Sequence, residues 1–207
     1  MKIENIEIDT LFPTAVQDSI LNNEEYIQQI ENEMYRLKDL YPEGQSISNY
    51  GGWQSPRNAW WDGTSPILEE LGMNLLSHMK EYYSVTQRNS RVDDLKLQSI
   101  WGNISNKHAY NNLHVHSGAQ VSGILYINAP KYCGNVVFVN PSANLKMCEA
   151  FGDKIDRTPF NNDRFFYEPK RGRILLFPSY LGHEVEPNIT DEDRISIAFN
   201  ASFYAEE

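Results

Sequence analysis

Apolar residues along this chain follow two different periods. In the first third they recur every three or four residues; from about residue 94 they alternate. The stretch "NNEEYIQQIENEMYRLKDLY" sets Ile27, Ile30, Met34 and Leu37 on one stripe, which predicts an amphipathic helix stopped by Pro42 and Gly44. A short strand is expected ahead of it. A second helix is predicted over "TSPILEELGMNLLSHMKEYYSV", with Ser65 as N-cap, Pro66 in the first turn and Leu68, Leu71, Leu75 and Met79 as its stripe. The aromatic, glycine-rich "SNYGGWQSPRNAWWDG" between them reads as an ordered loop.

The alternating part reads as short strands: "LKLQSIWGNIS", "QVSGILYINA", "NVVFVNP", "GRILLFPS", "HEVEP" and "RISIAFNASF", parted by Gly, Pro, Asn and Asp. Six or more strands at this spacing predict an antiparallel sandwich or barrel. Leu145–Glu168 is a long insertion in the series, and a loop of that length in a compact domain points to a functional role. Without repeats, low-complexity tracts or a linker, the expectation is a single domain over 1–207, with a mostly helical elaboration in 1–90 and a β core in 91–207.

Charge and cysteine content narrow the partners. The formal net charge of −10, with no compensating Lys/Arg stripe, argues against nucleic acid or an anionic membrane surface. Cys133 and Cys148 are the only cysteines and form no metal-binding or disulfide framework. Neither a charged-then-apolar leader nor a membrane-length apolar run is visible, so a reducing, cytoplasmic setting is expected. The sequons at Asn103 and Asn188 are then accidental.

Chemistry enters with the histidines. His114 and His116 stand two apart in "NNLHVHSGAQVSGILYINAP", so on a strand both side chains share a face, with Cα atoms roughly 6.5–7 Å apart. Such a pair alone is a weak metal signal. His183, in "LFPSYLGHEVEP" at the opening of another strand, is the best third ligand. His78, read on the apolar side of the second helix, and His108, in a polar loop, lack this context. Eleven residues after His183 comes Arg194, with Ser196 on the same strand face. An inward arginine on an otherwise apolar face calls for an anion, and its fork suits a carboxylate. The competing reading pairs Arg194 with Asp191 or Asp193 at the surface.

Together these motifs resemble the iron(II)- and 2-oxoglutarate-dependent oxygenases. More closely, "LFPTAV", "NYGGWQS", "HVHSGAQVSGILYINAP" and "GRILLFPSYLGHEVEPN…DRISIAFN" resemble an oxygenase group of bacteria and phages, over nearly the whole chain. The resemblance implies a mainly β fold, a double-stranded β-helix (jelly roll, cupin-like) with N-terminal α-helices packed outside. It implies iron held by His114, His116 and His183, and 2-oxoglutarate held at its distal carboxylate by Arg194 and Ser196. Most of the superfamily carries a carboxylate where His116 stands. Glu184 would point to the opposite face and is a poor substitute. Asn103 and Tyr126 are expected to add hydrogen bonds from adjacent strands, and Gly118 and Gly182 to permit close turns. The activity implied is a dioxygenase that hydroxylates an unidentified small molecule or protein side chain, in the host cytoplasm if phage-encoded. Two rivals are a cupin-like metalloenzyme that does not use 2-oxoglutarate and a non-catalytic jelly-roll module.

The remaining candidates have plainer readings. Trp53, Trp60 and Trp61 with Tyr50 are expected to pack helices against the barrel rather than to form a lid. Arg164, Lys170, Arg171 and Arg173 read as a solvated basic loop, and Asn111 as a turn residue.

Overall fold

Strand Gln17–Ile20 (β1) opens the computed structural model, which describes residues 11–57, 62–142 and 162–203. Helix α1 (Glu24–Leu40) and helix α2 (Pro66–Gln87) follow the predicted stripes. Ile27, Ile30, Met34 and Leu37 are all buried, each contributing roughly 1.5–3 kcal/mol on full burial. Asn23 caps α1 by accepting from the Tyr26 backbone N–H at 3.1 Å. Ser65 does occupy the N-cap position of α2, but its side chain makes no capping bond there.

Between the helices lie β2 (Asn49–Tyr50) and β3 (Trp53–Gln54), so the stretch read as a loop carries two minimal strands, which pair with later strands in different sheets rather than with each other. The later strands are β4 (Lys96–Ser105), β5 (Tyr110–His114), β6 (Val121–Asn128), β7 (Val136–Val139), β8 (Arg164–Tyr167), β9 (Arg173–Pro178), β10 (His183–Val185) and β11 (Arg194–Ser202). β8 falls inside the expected insertion; residues 143–161 lie outside the described ones, as do Trp60, Trp61 and Cys148.

All pairings are antiparallel and build two sheets, β1-β9-β6-β11-β4-β3 and β2-β5-β10-β7-β8. This is the jelly-roll architecture. The period-two pattern of β11 explains the layering. Ile195, Ile197 and Phe199 face one way and join α1, α2, Leu125 and Ile104 in the larger core. Arg194, Ser196, Ala198 and Asn200 face the other way, into the space between the sheets. There Ile124, Tyr126, Phe138, Leu175 and Phe177 form a second, smaller core. Trp53 belongs to the helix-side core, and its indole N–H donates to the Tyr41 carbonyl at 2.8 Å.

The basic loop is not simply solvated. Arg171 pairs with Glu24 and Glu31 of α1 (2.7 Å each), Arg173 with Asp18 of β1, and Arg164 with Glu184. The Arg171 and Arg173 pairs fasten the N-terminal segment to the β9 end of the larger sheet, and the Arg164 pair links β8 to β10 within the smaller one. Among the described residues no helix is long and apolar enough to cross a membrane.

Candidate metal centre

His114 ends β5 and His183 opens β10, and the two are direct partners across the antiparallel ladder. A chain fold that makes these strands neighbours therefore joins residues 69 positions apart. His116 lies two residues beyond the end of β5 rather than within it; its backbone N–H donates to the Ser179 carbonyl at 3.0 Å. Alternation nonetheless persists past the strand end, since Val115 is exposed and His116 turns inward. Ring centroids lie 4.3 Å (His114–His183), 5.0 Å (His116–His183) and 5.1 Å (His114–His116) apart. One ring nitrogen from each lies within 4.8 Å of the others.

Hydrogen bonds on the far side of each ring select the tautomer. His114 Nδ1 donates to the Asn112 carbonyl at 2.7 Å and His183 Nδ1 to the Leu181 carbonyl at 2.9 Å; a carbonyl can only accept, so these nitrogens carry the proton. His116 Nδ1 lies 2.7 Å from Asn200 Oδ1 and 2.8 Å from Ser122 Oγ. The Asn200 amide donates to Ser99 Oγ, and its oxygen accepts from Ser122, so it presents an acceptor to His116. All three Nε2 lone pairs are thus left for a cation, the arrangement that orients metal-binding imidazoles.

Burial keeps the rings neutral. It pushes the His116 imidazole down from 6.5 to about 4 and His183 to about 3, with His114 lowered as well; mutual repulsion adds to the effect. Neutral imidazoles bind a metal without first releasing a proton. For the metal-free protein the sign of the linkage follows: the unfolded chain takes up protons near pH 6.5, while the folded triad resists until far lower pH. Stability is therefore complete above about pH 6.5 and falls as pH drops toward 4 and 3. Urea midpoints measured in chelator should decline from pH 7.5 to 5, and less steeply in a His116→Gln variant, in which His183 and His114 remain. A flat wild-type profile would contradict the burial of neutral rings.

The other predicted residues meet in the same chamber. Asn103, Ser196 and Tyr126 are direct neighbours across β4, β11 and β6, and all three line it with the histidines, Arg194 and Trp101. Arg194 is only 2 % exposed, and one guanidinium nitrogen donates to the carbonyls of Cys133, Gly134 (3.4 Å) and Glu186 (3.1 Å). Gly134 (φ +89°) makes this possible, because a Cβ there would sit 2.9 Å from Arg194 Nη1 and 2.2 Å from the Glu186 carbonyl oxygen. Asp191 accepts from Lys107, and Asp193 from the Tyr35 hydroxyl, so the competing surface pairing of Arg194 does not occur. Among the described residues no carboxylate pairs with this cation. The Tyr126 hydroxyl is buried without a hydrogen-bond partner, and burial raises its pKa.

Several sequence-level expectations need correction. Asn111 is not a turn residue: it sits in β5, lines the chamber and donates to Ser48 Oγ at 3.2 Å. His78 is exposed rather than on the apolar side of α2. Gly118 has the left-handed φ of +84°, but Gly182 does not. Trp101, Ser122 and Asn200 went unnoticed in the sequence, although the alternation that placed Asn103 and Ser196 would also have turned Trp101 and Asn200 inward. Arg57 and Gln54 gave no signal at all. They line a second, larger cleft of about 410 Å³ that shares Ser48, Trp101, His114 and His116 with the inner chamber.

The fold is shared with known enzymes. HygX from Streptomyces hygroscopicus, crystallised with nickel and 2-oxoglutarate, superposes with a TM-score of 0.62 at 13 % identity, over 93 % of this chain and 85 % of that one. A Pseudomonas putida prolyl-4-hydroxylase gives 0.60 at 14 % identity over 91 % and 93 %. SnoK, a non-heme α-ketoglutarate-dependent carbocyclase of nogalamycin biosynthesis, gives 0.63 at 12 % over 91 % and 79 %. At these identities the likeness concerns the fold. No functionally curated protein matches the sequence. The family described as "Putative 2OG-Fe(II) oxygenase" matches residues 99–200, a span that contains all three histidines, Arg194, Ser196, Asn103 and Tyr126. That segment, close to half of the chain, thus matches the iron(II)- and 2-oxoglutarate-dependent oxygenases.

Proposed function

We propose that the protein hydroxylates a small-molecule substrate, holding iron(II) on the Nε2 atoms of His114, His116 and His183 and 2-oxoglutarate beside Arg194. The donor set fits the metal: three neutral, pre-oriented imidazoles on one side, with the chamber open on the other. When bound, iron and 2-oxoglutarate supply the oxidising power, consuming O₂ and releasing succinate and CO₂. The chain's own contribution is to bind, orient and exclude water.

The observation that carries this reading is the buried, uncompensated Arg194 beside the partnerless Tyr126 hydroxyl. A buried cation without a counter-ion is costly, and a carboxylate would relieve both groups at once. Ser196 and Asn103, next in the same row, would hold that carboxylate's second oxygen. The inner chamber is narrow, about 40 Å³, so its walls must yield to admit a five-carbon diacid. A small-molecule substrate is in keeping with HygX, which has also been crystallised with hygromycin B bound. Cys133, a buried free thiol, is compatible with a reducing cytoplasm.

Two measurements test the proposal. Anaerobically reconstituted Fe²⁺ protein should convert 2-oxoglutarate to succinate when O₂ is admitted, and a protein that binds metal but never 2-oxoglutarate would overturn it. Tyr126→Phe should weaken 2-oxoglutarate binding roughly tenfold or more, because it removes a hydrogen bond to a charged group. The same change should leave the apo protein as stable as before, since the hydroxyl bonds to nothing there. Unchanged 2-oxoglutarate affinity in Tyr126→Phe would remove Tyr126 from the site.

A further inference from the structure

We infer that the substrate is a small molecule bearing an oxyanion, a carboxylate or a phosphate, which docks on Arg57 and Gln54 in the outer cleft. The inference rests on the oxygenase reading above and concerns a different set of side chains. The outer cleft, about 410 Å³, is of small-ligand size and has His114 and His116 in its wall. A molecule seated there would meet the metal face from outside, while the inner chamber holds 2-oxoglutarate.

Two donors in this cleft lack acceptors. Gln54, on β3, is 2 % exposed, and its Nε2 has no hydrogen-bond partner; the Arg57 Nε, three residues on, is also buried and unpartnered. The Arg57 guanidinium carbon lies 4.8 Å from the centre of the Trp101 ring, a cation–π contact that holds it against that wall. Trp101 in turn meets His116 edge-on at 5.8 Å. The chain of contacts Arg57–Trp101–His116 thus sets a distance between the anchoring cation and the proposed metal.

The chemistry of the lining selects the ligand. Among the described residues, Arg57 is its one permanently charged side chain; the rest are amides, hydroxyls, apolar groups and the two histidines, with no carboxylate. A neutral acceptor would satisfy Gln54 but leave the guanidinium uncompensated. An oxyanion satisfies both, and an arginine fork binds it through two parallel hydrogen bonds. The overall charge of −10 repels anions, so recognition has to be built locally, as it is here.

The test uses the full chain loaded with Co²⁺, or Zn²⁺ as diamagnetic reference, and saturating 2-oxoglutarate. Fluorine NMR follows three probes: para-fluorobenzoate, para-fluorophenyl phosphate and para-fluorobenzamide. At least one anion should show relaxation enhanced by Co²⁺ over Zn²⁺, and the isosteric amide should show none. Arg57→Gln should weaken that anion at least tenfold, as should Gln54→Glu, which sets a carboxylate against Arg57 in the anion's place. Melting curves establish that both variants fold, and both should bind 2-oxoglutarate like the wild type. An amide that binds as well as the anions, anions that do not bind, or anions unaffected by both substitutions would overturn the proposal. So would an anion displaced by 2-oxoglutarate, or variants that lose 2-oxoglutarate, because either would put these residues in the inner site. Failure of the wild type to bind 2-oxoglutarate at all would instead strike the oxygenase reading, and this inference with it.

Discussion

His183→Ala is expected to abolish stoichiometric metal binding and, with it, turnover. His183 is 2 % exposed and lies closest to a second ring, at 4.3 Å from His114. Losing an outer hydrogen bond to a metal-binding histidine typically costs about 10–100-fold in metal affinity, so losing the ligand itself should exceed about a hundredfold. Among the described residues no neighbouring acid stands ready to replace it: Glu184, the adjacent carboxylate, is engaged by Arg164. Titration with Co²⁺, whose visible absorption reports the ligand field, measures the effect. Wild-type affinity in the variant would remove His183 from the centre. The companion change, His116→Asp, restores the two-histidine, one-carboxylate set common among such enzymes and should still bind metal. It should bind less tightly than that set usually does, because Ser122 and Asn200 are arranged around an imidazole N–H rather than a carboxylate.

Arg194→Met should raise the dissociation constant of 2-oxoglutarate by about a hundredfold or more, while the metal stays bound. Truncating one partner of a buried, hydrogen-bonded charge pair costs about 2–5 kcal/mol in binding. The direction for stability is the opposite of the usual expectation for a buried arginine. Without its ligand the folded protein already bears an unpaired buried charge, and burial holds that guanidinium's pKa below its ordinary value. A methionine of similar length removes that cost, so the apo variant should melt no lower than wild type. The carbonyls of Cys133, Gly134 and Glu186 lose a donor, which limits the gain. Isothermal titration of Ni²⁺-loaded protein with 2-oxoglutarate, alongside apo melting curves, gives both numbers. An affinity within threefold of wild type would show that Arg194 does not hold the co-substrate.

Local periodicity was enough to foresee both helices and the strands from β4 onward, because burying one face imposes a 3.6- or two-residue repeat on the sequence. It missed β2, β3 and β8. The first two have only two residues each, too short to show a period, and they exist because longer strands offer them an edge. β8 is exposed along most of its length and shows no alternation. The same limit applied at the site. Alternation along a single strand put Arg194 and Ser196 on one face, and His114 with His116 on another. Asn111 was misread because five residues with exposed and half-buried positions give no clear alternation.

Residue chemistry and short-range spacing thus already carried the expectation of an antiparallel sandwich or barrel, the three imidazoles and the inward arginine, while the jelly roll itself came from the family resemblance. That His183 faces His114 came instead from the pairing of β10 with β5, a long-range register that no local pattern encodes. The protonation pattern of the rings, the lack of a counter-ion for Arg194 among the described residues and the meeting of Arg57 and Gln54 in one cleft beside the histidines depend on burial and on partners distant in sequence. Such properties arise from desolvation and neighbouring groups, which exist only once the sheets have closed over them.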